Sequence, residues 1–310
     1  MKLLVLADGH RQLAARGGAL VVLIDGETVH KVPPHLVEQV HAFGDATVTP
    51  AARTLCLRKG IDLLFFAPHG RFRGRLTGRE SRAGSLRLAQ YQAATDPVLR
   101  LELARSFVSG KVRNQRTVLL RAQRREACEE TANALAVMRV SVERLGACSG
   151  LDQVRGMEGH AAQAYFSAWP RVLANPLFGF RGRNRRPPRD PVNAALSYAY
   201  TLLCSCQEDA VLRAGLDPHV GFLHEARRGA PSCALDLAEE WRPMVDALVL
   251  GLFNRRQFTP EDFYEPESGA DELAEPPPDE PQDTQRCAVT PWPAIHLGPV
   301  GRDVLMAAWY

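Results

Sequence analysis

The first 75 residues set short apolar runs between single polar or turn-forming positions. "KLLVLA", "ALVVLID", "ETVHKVP" and "IDLLFFAP" are rich in Val, Leu and Ile and are bounded by Gly, Asp and Pro, the pattern of β-strands. Gly17–Gly18 and Asp25–Gly26 stand where hairpin turns belong. "TPAARTLCLRKG" (49–60) departs from this pattern. It predicts one short helix, with Thr49 as N-cap, Pro50 in the first turn and Gly60 beyond the end. From about residue 84 the apolar positions recur with a helical period, predicting helices over 84–95, 97–125, 127–145, 150–169, 190–213 and 232–252, and a short one near 260. Asp96–Pro97 and Asp190–Pro191 are helix starts, Ser232 is placed to cap the helix that follows it, and Pro243 predicts a kink or break.

This pattern predicts an α+β chain: a small β domain over 1–75, a linker over 76–83 and a larger helical domain over 84–310. Within the latter, 265–285 ("EPESGADELAEPPPDEPQDTQ") is acidic, Pro-rich and nearly free of large apolar residues, and is expected to be disordered or a long loop. The last ten residues read as a helix that stops on "AAWY" without a cap, as if cut short there.

Composition narrows the class. With 310 residues, 45% hydrophobic and 24% charged, the chain has an ordinary soluble composition and room for two cores. The longest apolar runs, 19–24 and 245–253, are too short to span a bilayer. "MKLLVLADGH" lacks the apolar region and cleavage site of a signal peptide, so a cytoplasmic protein is expected. Seven cysteines without a zinc spacing read as reduced, small hydrophobes. The net charge of +3 conceals an asymmetry. Residues 261–283 carry ten acids and no Lys or Arg, whereas 71–125 carry fourteen Lys/Arg against three acids. "RGRNRRPPR" (181–189) adds five arginines. Such blocks are usually solvated faces, but together they favour a polyanion partner such as nucleic acid.

The chemistry-bearing residues lie between the basic blocks and the acidic tail. Glu158 shares a helical face with Ala161, Ala162, Tyr165 and Trp169, so it points inward with an apolar surface where an unpaired carboxylate is costly. Its plainer role is a first-turn Glu held by backbone amides. His224 follows "GFL" at the end of an element; a lone His is more often structural than a ligand. The helix after Ser232 carries Asp236, Glu239 and Glu240, of which Glu240 reads as a solvated edge. Two carboxylates and one imidazole, Glu158, Glu239 and His224, suit Mg²⁺ or Mn²⁺ better than a closed zinc site. Such an ion among basic surfaces would serve phosphodiester chemistry.

Four ordered stretches, "GMEGHAAQAYF", "RRPPRDPVNAALSYAYTLL", "GLDPHVGFLHE" and "SCALDLAEEWRP", resemble the CRISPR-associated adaptation integrase/endonuclease family, which inserts new spacers into CRISPR arrays. The resemblance covers almost the whole chain. It implies a β-sandwich-like N-terminal domain used for homodimerisation and an all-helical catalytic domain. It implies Glu158, His224 and Glu239 as metal ligands, with Asp236 a supporting or second ligand in the catalytic set. It implies strand transfer of double-stranded prespacer DNA into a CRISPR repeat, in antiviral defence. The implied partner is the small second adaptation protein, in a heterohexamer, with no membrane. Arg181, Arg183, Arg185 and Arg186 are expected to bind DNA, Tyr165 to orient a DNA end unless it is core, and Asn193 and Tyr200 to line the same cleft unless they pack or cap. Two other functions stay open at this point: a general metal-dependent nuclease for branched DNA, and a catalytically inactive DNA-binding scaffold.

Overall fold

The computed structural model describes residues 3–7, 11–78, 84–184, 187–265 and 295–309. Arg185, Arg186 and nearly all of the acidic, Pro-rich stretch lie outside the described residues. The chain divides into two compact units, Met1–Gly84 with Leu212–Gly215, and Ser85–Val211 with Leu216–Tyr310.

The first unit is built from β1 (Leu3–Leu6), β2 (Arg11–Arg16), β3 (Ala19–Ile24), β4 (Glu27–Val32), β5 (Gln39–Phe43), β6 (Thr47–Val48), α1 (Pro50–Lys59), β7 (Asp62–Phe66) and β8 (Phe72–Leu76). They form two four-stranded sheets, ordered β1-β5-β7-β8 and β4-β3-β2-β6. Gly17, Gly18, Asp25 and Gly26 all have positive φ, which lets two-residue turns join β2–β3 and β3–β4 in the twist that hairpins need. β1, β5 and β7 pair in parallel and so need crossovers. The β2–β4 hairpins and α1 fall within these crossovers. Leu4, Leu6, Val40 and Leu63 of one sheet share a core with Leu13, Leu20, Val22 and Val32 of the other, and α1 adds Ala52, Leu55 and Cys56. α1 has the expected boundaries: Thr49 Oγ1 accepts from Ala52 N–H, and Gly60 closes the helix in the left-handed region. β2, β5, β6 and β8 were not distinguished in the sequence. β2 is flanked by Arg11 and Arg16 and carries only two buried positions, too weak an alternation to read alone.

The second unit contains α2 (Gly84–Thr95), α3 (Pro97–Arg125), α4 (Glu129–Leu145), α5 (Leu151–Ser167), the short α6 (Trp169–Val172), α7 (Pro191–Arg213) and α8 (Ser232–Asn254). A two-residue antiparallel pair, β9 (Phe263–Tyr264) with β10 (His296–Leu297), precedes α9 (Pro299–Trp309). Among its described residues the unit's regular structure is therefore helical apart from this small ribbon. α3 packs against α8, α4 and α5. Its buried stripe is Ala104, Val108, Lys111, Val112, Gln115 and Leu119, one helical face with two polar residues in it. Asp96 caps α3 by accepting from Val98 and Leu99 N–H at 2.8 and 3.1 Å.

At α8 the structure answers two expectations, the break at Pro243 and the cap at Ser232, with neither. The helix runs unbroken from Ser232 to Asn254 with Pro243 inside. Pro243 removes the N–H that would bond the Glu239 carbonyl, but buried residues before and after it (Ala238, Arg242, Val245, Val249) hold the helix by packing. Ser232 is also not the cap. Pro231 takes that position, and Ser232 Oγ donates to the Glu225 carbonyl at 2.7 Å.

The loop before α8 is seated on that helix through Gly221. A Cβ there would lie 2.7 and 2.8 Å from the Ser232 carbonyl atoms and 2.9 Å from Asp236 Oδ2. With only hydrogen at this position the loop closes on Asp236, which is fully buried. Asp236 Oδ2 accepts from Phe222 and Leu223 N–H, and Oδ1 from His224 N–H at 2.9 Å. Arg100 Nε donates to the Phe222 carbonyl at 2.9 Å and Arg155 Nη2 to the Leu223 carbonyl at 2.8 Å, so these buried backbone groups are satisfied from α3 and α5. Gly221→Ala is expected to cost roughly 1–3 kcal/mol, because the added methyl meets backbone that cannot move without strain. Urea unfolding measures it, and an unchanged midpoint would show that the loop is not held as described.

Candidate active site

Glu158, Lys111 and Glu239 meet between α5, α3 and α8. Lys111 Nζ lies 2.5 Å from Glu158 Oε1 and 2.5 Å from Glu239 Oε2. The Lys111 and Glu239 side chains are 5% and 4% exposed, whereas Glu158 is 23% exposed, so the cluster opens to solvent on the Glu158 side. α5 buries Val154, Ala161 and Tyr165 on the face that carries Glu158, as its spacing predicts. Glu239 Oε1 faces Arg242 Nε one turn on, at 3.3 Å. Burial opposes the charge on Glu239, but Arg242, Lys111 and His224 outweigh it and hold this carboxylate well below the usual range. Burial likewise opposes the Lys111 ammonium, and Glu158 and Glu239 overcome it, keeping the amine charged.

His224 is oriented from behind. Its Nδ1 lies 2.7 Å from Asp236 Oδ1. A carboxylate accepts, so Nδ1 carries the proton and Nε2 is left for another partner, as in carboxylate–histidine pairs behind metal ions. Burial favours the neutral ring, yet the Asp236 hydrogen bond and the charges of Glu239 and Asp236 raise the pKa above 6.5. Asp236 was expected within the catalytic set as a supporting or second ligand. Both of its oxygens are used by the loop and by His224, so it positions the imidazole.

Among the described residues, no three His, Cys, Asp or Glu side chains are gathered closely enough to enclose a metal ion as they stand. The donor set nevertheless fits a hard divalent cation. Two carboxylate oxygens already share one cation, the Lys111 ammonium, and oxygen donors with one imidazole suit Mg²⁺ or Mn²⁺. Glu158, Glu239 and His224 Nε2 are the groups that would hold it.

Tyr165, Asn193 and Tyr200 take the packing roles that the sequence left open. Tyr165 is completely buried, packed edge-on against Phe166 and Trp169. It is a core residue and has no surface to offer a DNA end. Arg183 turns inward: it donates to Asn193 Oδ1 at 2.7 Å and Ser197 Oγ at 3.2 Å and lies 5.3 Å over the Tyr200 ring. Asn193 is fully buried and bonds Asp190 and the Gly182 carbonyl. Tyr200 donates to the buried Asp246, whose carboxyl burial pushes up to about 6. Arg242 stacks 5.0 Å over the other partner of this network, the Tyr200 ring. These groups support the site instead of lining it. Arg181 is exposed. Glu240, expected on a solvated edge, is half-buried, and its carboxylate lies against Gly110 of α3. Gly110 thus permits the close α3–α8 approach that delivers Lys111.

Lys111 was missed in the sequence. Its signal was present: in "VSGKVRNQRTVL" it shares a face with Val108, Gln115 and Leu119, and a lysine on an apolar stripe needs a buried counter-charge.

The raised His224 pKa sets a pH dependence. A raised pKa stabilises the fold fully below the unfolded value of 6.5, and that stabilisation is lost as pH rises through the higher folded value. Denaturation of the metal-free protein is expected to show lower stability at about pH 9 than at about pH 6, with His224→Gln removing that part of the difference. An unchanged difference in the variant would contradict the assignment.

Comparison with known proteins agrees with this architecture. The family model for CRISPR-associated protein Cas1 matches residues 4–274. The chain is 43% identical over 265 residues to CRISPR-associated endonuclease Cas1 2 of Rhodospirillum rubrum, covering 82% of this chain and 76% of that one. It is 41% identical over 263 residues to CRISPR-associated endonuclease Cas1 3 of Thermus thermophilus, covering 84% and 76%. In fold it resembles a Cas1 protein from Thermotoga maritima (TM-score 0.75, 22% identity, all of this chain and 89% of that one). It also resembles a casposase bound to integration product (TM-score 0.76, 23% identity, all of this chain and 82% of that one). A family model spanning most of the chain, and relatives above two-fifths identity over four-fifths of it, establish that the chain belongs to the Cas1 family of CRISPR-associated proteins.

Proposed function

We propose that this protein is a metal-dependent DNA endonuclease and integrase that joins short double-stranded prespacer DNA to a CRISPR repeat by transesterification. The observation that carries the reading is the convergence of Glu158 and Glu239 on one cation position beside an imidazole held by Asp236. The names of the relatives, CRISPR-associated endonucleases, support it.

The reaction exchanges one phosphodiester for another. A prespacer 3′-oxygen bonds to phosphorus, the 3′-oxygen of the target strand leaves, and the proton of the attacking hydroxyl ends on the leaving oxygen. A divalent ion, when bound, supplies charge stabilisation at the phosphate and lowers the cost of forming the alkoxide. The chain supplies position. Arg242 on Oε1 and Lys111 on Oε2 hold Glu239 ionised. Asp236 fixes the His224 tautomer so that Nε2 is the available nitrogen. No covalent protein–DNA bond is required, so no nucleophilic Ser or Tyr is needed.

The basic blocks favour a polyanion partner, and double-stranded DNA is the one this reading assigns. Arg113, Arg121, Arg124 and Arg125 are exposed on α3, as is Arg181 before α7. Structures of similar fold include a complex described as Cas6-RT-Cas1–Cas2, in keeping with a small second adaptation protein as partner to a homodimer of this chain in a heterohexamer. No helix of the described residues is long and apolar enough to cross a membrane, in keeping with work on DNA in the cytoplasm.

Glu158→Ala, His224→Ala and Glu239→Ala are each expected to abolish strand transfer into a supercoiled target with Mg²⁺ or Mn²⁺ while leaving gel-shift affinity for DNA intact. Asp236→Asn is expected to lower the rate about 10- to 100-fold, since it disturbs the loop and the orientation of a ligand without removing the ligand. Normal integration by all three alanine variants would remove this cluster as the active site. Affinity for mixed-sequence duplex is expected to fall steeply with salt, by a log–log slope of about −0.9 for each phosphate neutralised. A slope near zero would exclude the arginine surfaces as the binding determinant.

A further inference from the structure

We propose that Lys111 is a built-in counter-ion that holds the cation position between Glu158 and Glu239, and that a divalent ion binds by displacing it. The inference deepens the metal-dependent reading above and rests on it.

Three features of the structure point to this role. The ammonium sits where a shared cation would sit, 2.5 Å from an oxygen of each carboxylate. Two cations cannot occupy that position together, because their repulsion in a partly desolvated cluster exceeds anything a shared carboxylate returns. Glu239 is also held asymmetrically. Its Oε1 faces Arg242, and that guanidinium is stacked 5.0 Å over the Tyr200 ring, a planar cation in a fixed seat. Its Oε2 faces Lys111, the end of a flexible four-carbon chain. A cation that arrives from solvent therefore exchanges with Lys111 and not with Arg242. Finally, the cluster is accessible on one side, since Glu158 keeps 23% of its side chain exposed. This gives an ion a way in and the ammonium a way out.

The consequence is that Lys111 sets the metal affinity downward. In the metal-free protein it neutralises two carboxylates that would otherwise repel one another, and the price is competition with the ion. Removing its charge while keeping its volume leaves both carboxylates for the ion alone. Binding of Mn²⁺ is measured by calorimetry on the full chain. Lys111→Met is expected to tighten the dissociation constant by about tenfold or more relative to wild type, and Glu158→Gln in the same background to reverse the gain. In parallel, the wild-type Lys111 amine is labelled with an acylating reagent and read by mass spectrometry. Labelling is expected to be slow without metal and several-fold faster with saturating Mg²⁺, because the displaced ammonium reaches solvent. This second readout needs no variant, so it decides the question even if Lys111→Met folds only with metal present.

Unchanged or weaker Mn²⁺ binding by Lys111→Met would overturn the proposal, since Lys111 would then assemble the site instead of competing for it. Labelling that ignores metal bound through Glu158 and Glu239 would overturn it as well. If neither wild type nor Lys111→Met binds Mn²⁺, the metal-dependent reading falls and this inference falls with it. Wild-type binding that requires Glu158 and Glu239 but is indifferent to Lys111 removes the inference alone.

Discussion

Two carboxylates pushed toward each other from different helices need a cation between them. Glu158 of α5 and Glu239 of α8 approach within about 5 Å through the shared Lys111 of α3, a separation at which like charges repel by about 3 kcal/mol even at an effective dielectric near 20. Lys111 turns that repulsion into a bridge that ties three helices at one point. The close packing of α3 on α8 serves it. Gly110, beside Lys111, leaves room for the Glu240 side chain, and Asn114 donates to the Glu240 carbonyl at 2.9 Å. Breaking a buried charge set by removing one member costs about 3–5 kcal/mol, so the arrangement is costly to dismantle by any route except supplying another cation.

The imidazole is controlled by a second buried carboxylate. Asp236 takes no part in the charge bridge. It gathers the backbone of residues 222–224 and the His224 ring into one set of hydrogen bonds. Arg100 and Arg155 secure the same loop through its carbonyls from α3 and α5. The helices that carry Lys111 and Glu158 thus also position the loop that carries His224. Behind them, Tyr200, Asp246 and Arg242 form a further buried polar layer. Glu158, Glu239 and His224 are thus held by helices and by buried polar partners.

The arginine-rich sequence divides into two kinds of residue once folded. Arg100, Arg105, Arg155 and Arg183 spend their guanidinium groups on carbonyls and side chains inside the protein. Arg113, Arg121, Arg124, Arg125 and Arg181 remain on the surface. The basic excess that suggested a polyanion partner is therefore partly structural, and the exposed subset is the one that a DNA backbone can meet. Membership of the Cas1 family is consistent with both uses of the residue.

The hairpin turns at Gly17–Gly18 and Asp25–Gly26, the Thr49 and Asp96 caps, the change from strand to helix near residue 84 and the inward face of Glu158 were all legible in the sequence. Each is a local property: a backbone angle that only certain residues tolerate, a side chain that reaches its own helix, or a period of apolar positions. The grouping of Glu158, His224 and Glu239 was an expectation drawn from ordered stretches that resemble a family, and the structure brings Glu158 and Glu239 to one lysine. What the sequence left undecided was every partnership between distant segments. That Asp236 bonds the His224 loop, that Arg183 and Tyr165 face inward, that Glu240 lies over Gly110 and that Lys111 joins two acids far from it along the chain were decided only by how α3, α5 and α8 pack. A lone charge on an apolar helix face announces that it must be neutralised, but which charge neutralises it depends on which helix arrives opposite, and only tertiary packing determines that.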